Sequence, residues 1–578
     1  MKNRKLRVLL TAAMGLAAMS VPARQGKGPE WLKDALFYQI YPSSFMDSDG
    51  NGIGDLPGIT SKLAYIQSLG VNAIWLNPIF ESGWFDGGYD VIDFYKVDSR
   101  FGTNSDLVDL VREAHKRGIK VCLDLVAGHT SDKCAWFTES KEKDANQRYS
   151  DYYIWSDTVS DWEKKNIELR RKDPYPDAST RGAWVEENAL RAKYYLKNYF
   201  ECQPALNYGY ADPDPDHPWE QSVDAPGPQA VRREMRNIMA FWFDKGVDGF
   251  RIDMAASLVK NDKDKAAVKQ LWQEMRAWKD KNYPGCVFIS EWSNPENAIP
   301  AGFNIDFMMH FGTPGYSSLF FEKGTPFGER NKFRHAYFSK KGQGIIAEFA
   351  ENYTRLLSKT KDLGYIAIPS ANHDFQRPNC GDRNTLPELK VAMTFFLTMP
   401  GVPFIYYGDE IGMKYLHNLP NKEGATDRAG TRTPMQWDSG ETAGFSTCSP
   451  DRLYLPVDTE NGKITVTAEE SDKNSMLNYV RRLIRLRHSS KALNNEGEWE
   501  LLSDIKQPYP MVYKRSYGSE SYIVALNPSA KKVKTNLKPQ HVVNSRQVFA
   551  SGKAKYKTGK NFDIIEMNGL TAAIYQMR

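Results

Sequence analysis

Three apolar runs in the chain end on carboxylates: Val247-Asp248-Gly249-Phe250-Arg251-Ile252-Asp253, then Ser290-Glu291-Trp292, then Asn372-His373-Asp374. Side chains two positions apart in a strand share a face, so Arg251 and Asp253 point the same way. A guanidinium beside a carboxylate favours its ionised form, which suits a nucleophile. Glu291, on an apolar strand beside Trp292, is placed for a raised pKa and for acid–base work. Asp374, preceded by His373, could bind sugar hydroxyls and stabilise positive charge. Any one of these acids could instead cap a helix or close a structural ion pair. Together they are the equipment of glycoside hydrolysis, in which one carboxylate attacks the anomeric carbon and another protonates the leaving oxygen.

Chemistry of this kind requires a fold that gathers distant strand ends. Eight apolar strand candidates alternate with helical patterns: Leu36 to Tyr41, Asn72 to Asn77, Lys120 to Val126, Val247 to Asp253, Val287 to Trp292, Ile305 to Phe311, Tyr365 to Asp374 and Val402 to Asp409. Such alternation predicts a parallel sheet, and this count favours a closed (β/α)8 TIM barrel with its chemistry at the C-terminal strand ends. No glycine-rich dinucleotide fingerprint follows the first strand. A stretch of roughly a hundred residues, His129 to Pro228, interrupts the alternation after the third strand and reads as a functional loop or a small inserted domain. After Asn474 to Leu493 the pattern changes to short alternating strands, Met511 to Arg515, Ser521 to Leu526 and Leu570 to Gln576. The expected division is a barrel over 33–128 and 211–494, an insertion over 129–210 and a C-terminal antiparallel β-sandwich over 495–578.

The chain has 578 residues, enough for two or three domains. Lys2, Arg4, Lys5 and Arg7 precede an apolar run from Val8 to Val21 and then Pro22-Ala23. This reads as a secretory signal peptide over residues 1–23, too short to span a bilayer, and implies a periplasmic or secreted protein. Its removal takes away four positive charges and brings the formal charge from +5 to about +1. Neither nucleic acid nor a membrane is an expected partner; the expected partner is an α-glucan or oligosaccharide, and the expected state is a monomer. The aromatic content, 14 Trp, 30 Tyr and 28 Phe, fits both sugar platforms and a large core. The six cysteines show no framework spacing, and Cys122 and Cys286 fall in apolar strand patterns that read as core.

The segments Asp124 to His129, Gly249-Phe250-Arg251-Ile252-Asp253, Ser290-Glu291-Trp292 and Asn372-His373-Asp374, supported by Gly401-Val402-Pro403-Phe404, resemble the ordered motifs of glycoside hydrolase family 13, the α-amylase family. The likeness runs from about Leu36 to the C-terminus. It implies a retaining mechanism with Asp253 as nucleophile, Glu291 as acid/base and Asp374 as stabiliser. It also implies that Arg251, His129 and His373 hold the glucosyl unit. Asp86-Gly87-Gly88-Tyr89-Asp90 and Arg432-Thr433-Pro434-Met435-Gln436-Trp437 resemble segments of oligo-1,6-glucosidases, maltases and trehalose synthases. In those relatives the first Asp and this Arg close the pocket around the non-reducing glucose and the Tyr stacks on it, so Asp86, Tyr89 and Arg432 are expected substrate contacts.

The sequence departs from the family pattern at three places. Gly128 stands where many members carry Asn, often a calcium ligand; Ala205 in Gln203-Pro204-Ala205-Leu206-Asn207 replaces an Asp; and Met254 matches neither common residue after the nucleophile. Linkage preference therefore stays open. A second metal loop is better supported: Asp47, Asp49, Asn51, the Ile53 carbonyl and Asp55 offer oxygens at alternate positions around Gly52. Relatives carry a Ca2+ or Mg2+ in this loop, and the same residues could also form a polar turn without metal. The leading functional expectation is an exo-acting α-glucosidase with structural Ca2+. An endo-acting α-amylase, a glucosyl-transferring relative such as a trehalose synthase or a sucrose-active enzyme, and a non-catalytic glycan-binding relative are the alternatives.

Overall fold

A computed structural model describes residues 26–142, 148–170, 183–458, 464–540 and 544–578. The expected signal segment, residues 1–23, lies outside them. Eight parallel strands form one sheet: β1 (Phe37–Ile40), β2 (Ala73–Leu76), β3 (Lys120–Leu125), β4 (Gly249–Ile252), β5 (Val287–Ser290), β6 (Ile305–Phe307), β7 (Tyr365–Ala367) and β8 (Phe404–Tyr406). Neighbours follow chain order from β1 to β7, and β8 returns to pair with β1. The remaining gap is bridged by the Val402 N–H to the Ile366 carbonyl at 3.1 Å and the Ser370 N–H to the Phe404 carbonyl at 2.9 Å, so the sheet closes on itself.

The strands are buried on both faces, as parallel strands in a barrel must be. Each surrounding helix turns an apolar stripe inward. Pro226–Phe243 starts with prolines in its first turn and packs Val231, Met235, Ile238, Met239 and Trp242 inward. Leu386–Thr398 opens with a Thr385/Glu388 capping box and is buried almost all round. On β4, Gly249 answers a steric demand. A Cβ there would lie 2.5 Å from Val287 Cγ2 and 2.9 Å from the Cys122 sulfur. Cys122 is buried as expected; Cys286, one residue before β5, is only half-buried and its thiol donates to the Val247 carbonyl at 3.5 Å.

The rim deviates from the expected strands in physically instructive ways. The run from Tyr365 to Asp374 is strand only over its first three residues; the rest leaves the ladder and carries its polar groups over the barrel mouth. An antiparallel hairpin, Phe80–Ser82 with Val91–Val97, stands between β2 and the following helix, and Asp86 to Asp90 is its tip. The insertion holds a small three-stranded sheet of Trp155–Ser156, Tyr194–Leu196 and Trp184–Glu186. Its core sets Phe137 against Tyr153, Trp155 and Tyr195. The C-terminal region has a five-stranded and a three-stranded antiparallel sheet. Val512, Ile523, Ala525, Leu537, Ile565 and Met567 fill the space between them, which makes a sandwich. Among the described residues no helix is long and apolar enough to cross a membrane.

Candidate active site

Asp253 and Glu291 stand just past their strand ends, whereas Asp374 is carried on the segment that leaves the ladder after Ala367. The Asp253 N–H donates to the Leu125 carbonyl and the Glu291 N–H to the Ile252 carbonyl, both at 3.0 Å, so each carboxylate leaves the ladder one residue after its strand. Arg251 joins them. Its Nη1 donates to Asp253 Oδ1 at 2.9 Å and to Asp124 Oδ1 at 2.8 Å, and its Nη2 lies 2.9 Å from Glu291 Oε2. One guanidinium thus serves three carboxylates, the geometry for which arginine's fixed fork is suited. The same Glu291 oxygen accepts the Met254 N–H at 3.0 Å. Met254 reaches it from a left-handed backbone with φ of 45°, a conformation that costs a non-glycine residue about 1–3 kcal/mol.

Burial and charge set these groups apart. Burial outweighs Arg251 at Asp253 and pushes its carboxyl up to about 6, so the arginine limits the rise rather than depressing the pKa outright. At Glu291 burial again outweighs Arg251, and with the nearby Asp253 and Asp374 charges it pushes the carboxyl up to about 8. Asp374 goes the other way. Burial opposes its charge, but the guanidinium groups of Arg428, Arg432 and Arg251 hold it far below the carboxylate range. Near neutrality the site therefore holds one protonated acid, Glu291, between two ionised ones.

The other expected contacts fall into two groups. Tyr89, His129, Asp86 and the three acids line one cavity of about 680 Å3. Tyr89 stacks on His373 at 5.4 Å and donates its hydroxyl to Asp124 at 2.9 Å. His129 is committed within the protein: Nε2 to the Tyr89 carbonyl at 2.9 Å and Nδ1 to Asn198 Nδ2 at 2.8 Å. The glycine at 128 makes that second bond possible, since a Cβ there would lie 2.8 Å from Asn198 Nδ2. His373, buried, has Gln39 Nε2 at 3.1 Å from Nδ1, and its Nε2 faces the Tyr89 hydroxyl at 2.8 Å. Burial, reinforced by Arg432, Arg251 and Arg428, keeps that ring well below its usual pKa and hence neutral.

Arg432 does not pair with Asp86. It is fully buried and does not line the cavity, donating to the His373 carbonyl at 2.8 Å and to Asp374 Oδ1 at 3.1 Å. The residue that meets Asp86 is Arg428, at 3.0 Å, and it also reaches Asp374 Oδ1 at 3.2 Å. Gln203 Nε2 donates to the other Asp86 oxygen at 3.1 Å. Arg428, Gln203, His310, Phe311 and Phe327 are absent from the sequence-based set. The available signal for Arg428 was its four-residue spacing from Arg432, and for Gln203 its position in the Gln-Pro-Ala-Leu-Asn segment.

Away from the cavity, Asp47, Asp49 and Asp55 each bring a carboxylate oxygen within 4.8 Å of the others. Asp47 accepts N–H groups of Asp49, Gly50 and Gly52 and the Ser446 hydroxyl. Asp55 caps the helix Leu56–Ser61. Asn51 Oδ1 takes the Ile53 N–H at 2.8 Å, while its amide nitrogen faces Asp49 at 3.0 Å. Convergent acids of this kind suit a hard dication.

Comparisons with known proteins agree with this geometry. Residues 39–496 match the family described as "Alpha amylase, catalytic domain". The chain is 30% identical to an oligo-1,6-glucosidase of Parageobacillus thermoglucosidasius over 95% of this chain and 99% of that one. It is 32% identical to the trehalose synthase/amylase TreS of Mycolicibacterium smegmatis over 81% and 78% of the two chains. Among solved structures, a mutant isomaltulose synthase from Erwinia rhapontici NX5 in complex with sucrose superposes with a TM-score of 0.76 at 26% identity, covering 95% of this chain and 99% of that one. A closed barrel, acids gathered at its rim and a match running through most of the chain lead to one conclusion: this protein belongs to the α-amylase family, and it is a glycosidase-type enzyme.

Proposed function

We propose that the protein is a retaining α-glucosidase that removes glucose from the non-reducing ends of short α-glucans. The observation that carries this reading is the ion-pair chain of Asp86, Arg428 and Asp374, all three of which line the cavity. A chain extending past the reacting glucose would have to break that network. In the first step an Asp253 oxygen bonds to the anomeric carbon as the glycosidic C–O bond breaks, and the Glu291 proton passes to the leaving oxygen. In the second, Glu291 takes a proton from water, which attacks the same carbon and releases Asp253. Asp374, ionised throughout, faces the positive charge that builds on the ring. Asp253→Asn should cost at least about 10³-fold in kcat. Time-resolved product analysis on maltoheptaose tests the exo mode: glucose alone at early times is expected, and mixed oligosaccharides would reject it.

A second reading, glucosyl transfer to a sugar acceptor, is favoured by the apolar side chains Met254, Trp292, Phe311 and Phe327 that line the cavity beside the acids. Such a lining excludes water from the covalent intermediate. Incubation with sucrose or maltose alone should then yield an isomeric disaccharide beside free glucose. We also propose that the Asp47 loop holds a structural Ca2+, with Asp47, Asp49 and Asp55 as carboxylate ligands and Asn51 and the Ile53 carbonyl completing the set. Chelation should then lower Tm, and added Ca2+ should restore it. Export through residues 1–23 would be tested by N-terminal sequencing of the mature protein.

A further inference from the structure

The segment around Glu291 is held from the next strand. Asp306 on β6 is fully buried and pairs with Ser290 in the parallel ladder. Its Oδ1 accepts the Ser290 hydroxyl at 2.6 Å and the Trp292 N–H at 3.1 Å, and its Oδ2 accepts the Asn294 N–H at 2.8 Å. These donors bracket Glu291 on both sides. Between them Ser293 sits at φ of 53°, a sparsely populated conformation for a residue with a side chain, which persists only where the surroundings impose it. Ser293 is tied in turn to the segment after β6: its hydroxyl donates to the Phe311 carbonyl at 2.5 Å and accepts the Met309 N–H at 3.0 Å, and its carbonyl accepts the Thr313 N–H at 2.7 Å.

Asp306 has no cationic partner among the described residues, and it does not line the cavity. Burial pushes its carboxyl up to about 7, with the Ser290 hydroxyl and the backbone donors opposing that rise. A buried acid without a counter-ion is costly, and here it gathers three donors that no single carbonyl could take. Its product is a fixed backbone on either side of the residue that must meet the leaving oxygen.

We propose that Asp306 is a positioning residue for proton donation: it fixes the main chain around Glu291 so that this carboxyl stays aligned with the leaving oxygen. The proposal rests on the reading of Glu291 as the acid. It predicts a split by leaving group. Scission of a disaccharide needs a proton on the departing hydroxyl, whereas α-glucosyl fluoride releases fluoride ion with little need of one.

The test compares kcat/KM of Asp306→Asn, Ser290→Ala and Glu291→Gln on the preferred disaccharide and on α-glucosyl fluoride, with circular dichroism and Tm to confirm folding. Asp306→Asn replaces an acceptor by a donor facing the Asn294 N–H. It should lower disaccharide turnover by about 10–100-fold, less than the roughly 10²–10⁴-fold a general acid contributes outright, and change fluoride turnover by less than about threefold. Ser290→Ala, which removes one of the three donors, should show a smaller split of the same sign, and it decides the matter if the Asp306 variant does not fold. Equal losses on both substrates, or no loss on the disaccharide, would overturn the proposal. If Glu291→Gln itself shows no selective loss, it is the assignment of Glu291 that fails.

Discussion

Two groups of arginines in this molecule, one at the barrel rim and one at the joint with the C-terminal sandwich, are satisfied in opposite ways. At the barrel rim, Arg251, Arg428 and Arg432 are paired with carboxylates. At the joint with the C-terminal sandwich, Arg487 and Arg515 are given no carboxylate among the described residues. Arg487 donates to the carbonyls of Leu397, Met399 and Gly401 and to the Asn495 side chain. Arg515 donates to the carbonyls of Thr398, Leu493, Asn494, Gly497 and Glu498. Several of these belong to the C-terminal end of the helix Leu386–Thr398, where free carbonyls and the helix dipole both favour a cation. Burial lowers the two joint arginines, Arg487 to about 9 and Arg515 to about 10, whereas the acids around Arg251 raise it well above its usual value. Holding a joint requires only directional donors. A rim that must stabilise developing positive charge requires acids, and several acids gathered in one place are offset here by arginine.

Substitutions can break or sharpen that contrast. The largest effect is expected at Arg251→Met, which strands Asp124, Asp253 and Glu291 without their shared cation. Activity should fall by about 10³-fold or more, with about 3–5 kcal/mol lost from stability as buried charges go unpaired. Because Arg251 opposes the rise at Asp253, its loss should also move any residual acid limb to higher pH. Arg515→Met should cost about 2–4 kcal/mol in urea unfolding, since it leaves several carbonyls without donors, yet activity per folded molecule should stay near wild type. Comparable loss of activity from both variants would erase the distinction. Arg428→Ala should raise KM for short substrates by about tenfold, the worth of one charged hydrogen bond, and should let maltose appear among the first products from longer chains.

The smallest effect is the pH profile of the unaltered enzyme. Activity needs Asp253 ionised and Glu291 protonated, so kcat/KM should rise through about 6 and fall through about 8. A profile flat across this range would mean that the two carboxyls do not differ as described.

The parts legible in the sequence are those in which chemistry and backbone pattern coincide. Asp253, Glu291 and Asp374 each follow an apolar run, and a barrel exposes such residues at one rim, so their convergence could be read directly. The C-terminal strands announced themselves by alternation; Met511 to Arg515 became Met511–Tyr517 and Leu570 to Gln576 became Thr571–Met577. The partner of Asp86 could not be read, because Arg428 and Arg432 are neighbours on one short turned segment and only tertiary packing decides which faces the cavity. The strand content of the insertion was hidden for a related reason. Its strands are two or three residues long, too short for any period to show. Asp306 escaped because a buried acid on an apolar strand gives no local sign of which neighbours it will bind.

The closing seam of the barrel has a consequence in time. Phe37 pairs with Phe404, 367 positions later in the chain. At ordinary synthesis rates of about 5–20 residues per second, the first strand is made roughly 20–70 seconds before its second neighbour exists. Through that interval one edge of β1 has no strand to pair with, and an unpaired edge is a template for pairing with other chains. Even the segment leading into β1 depends on a late arrival, because Asn495 donates to the carbonyls of Leu32 and Ala35. The beginning of this chain is thus the last part of its barrel to be finished.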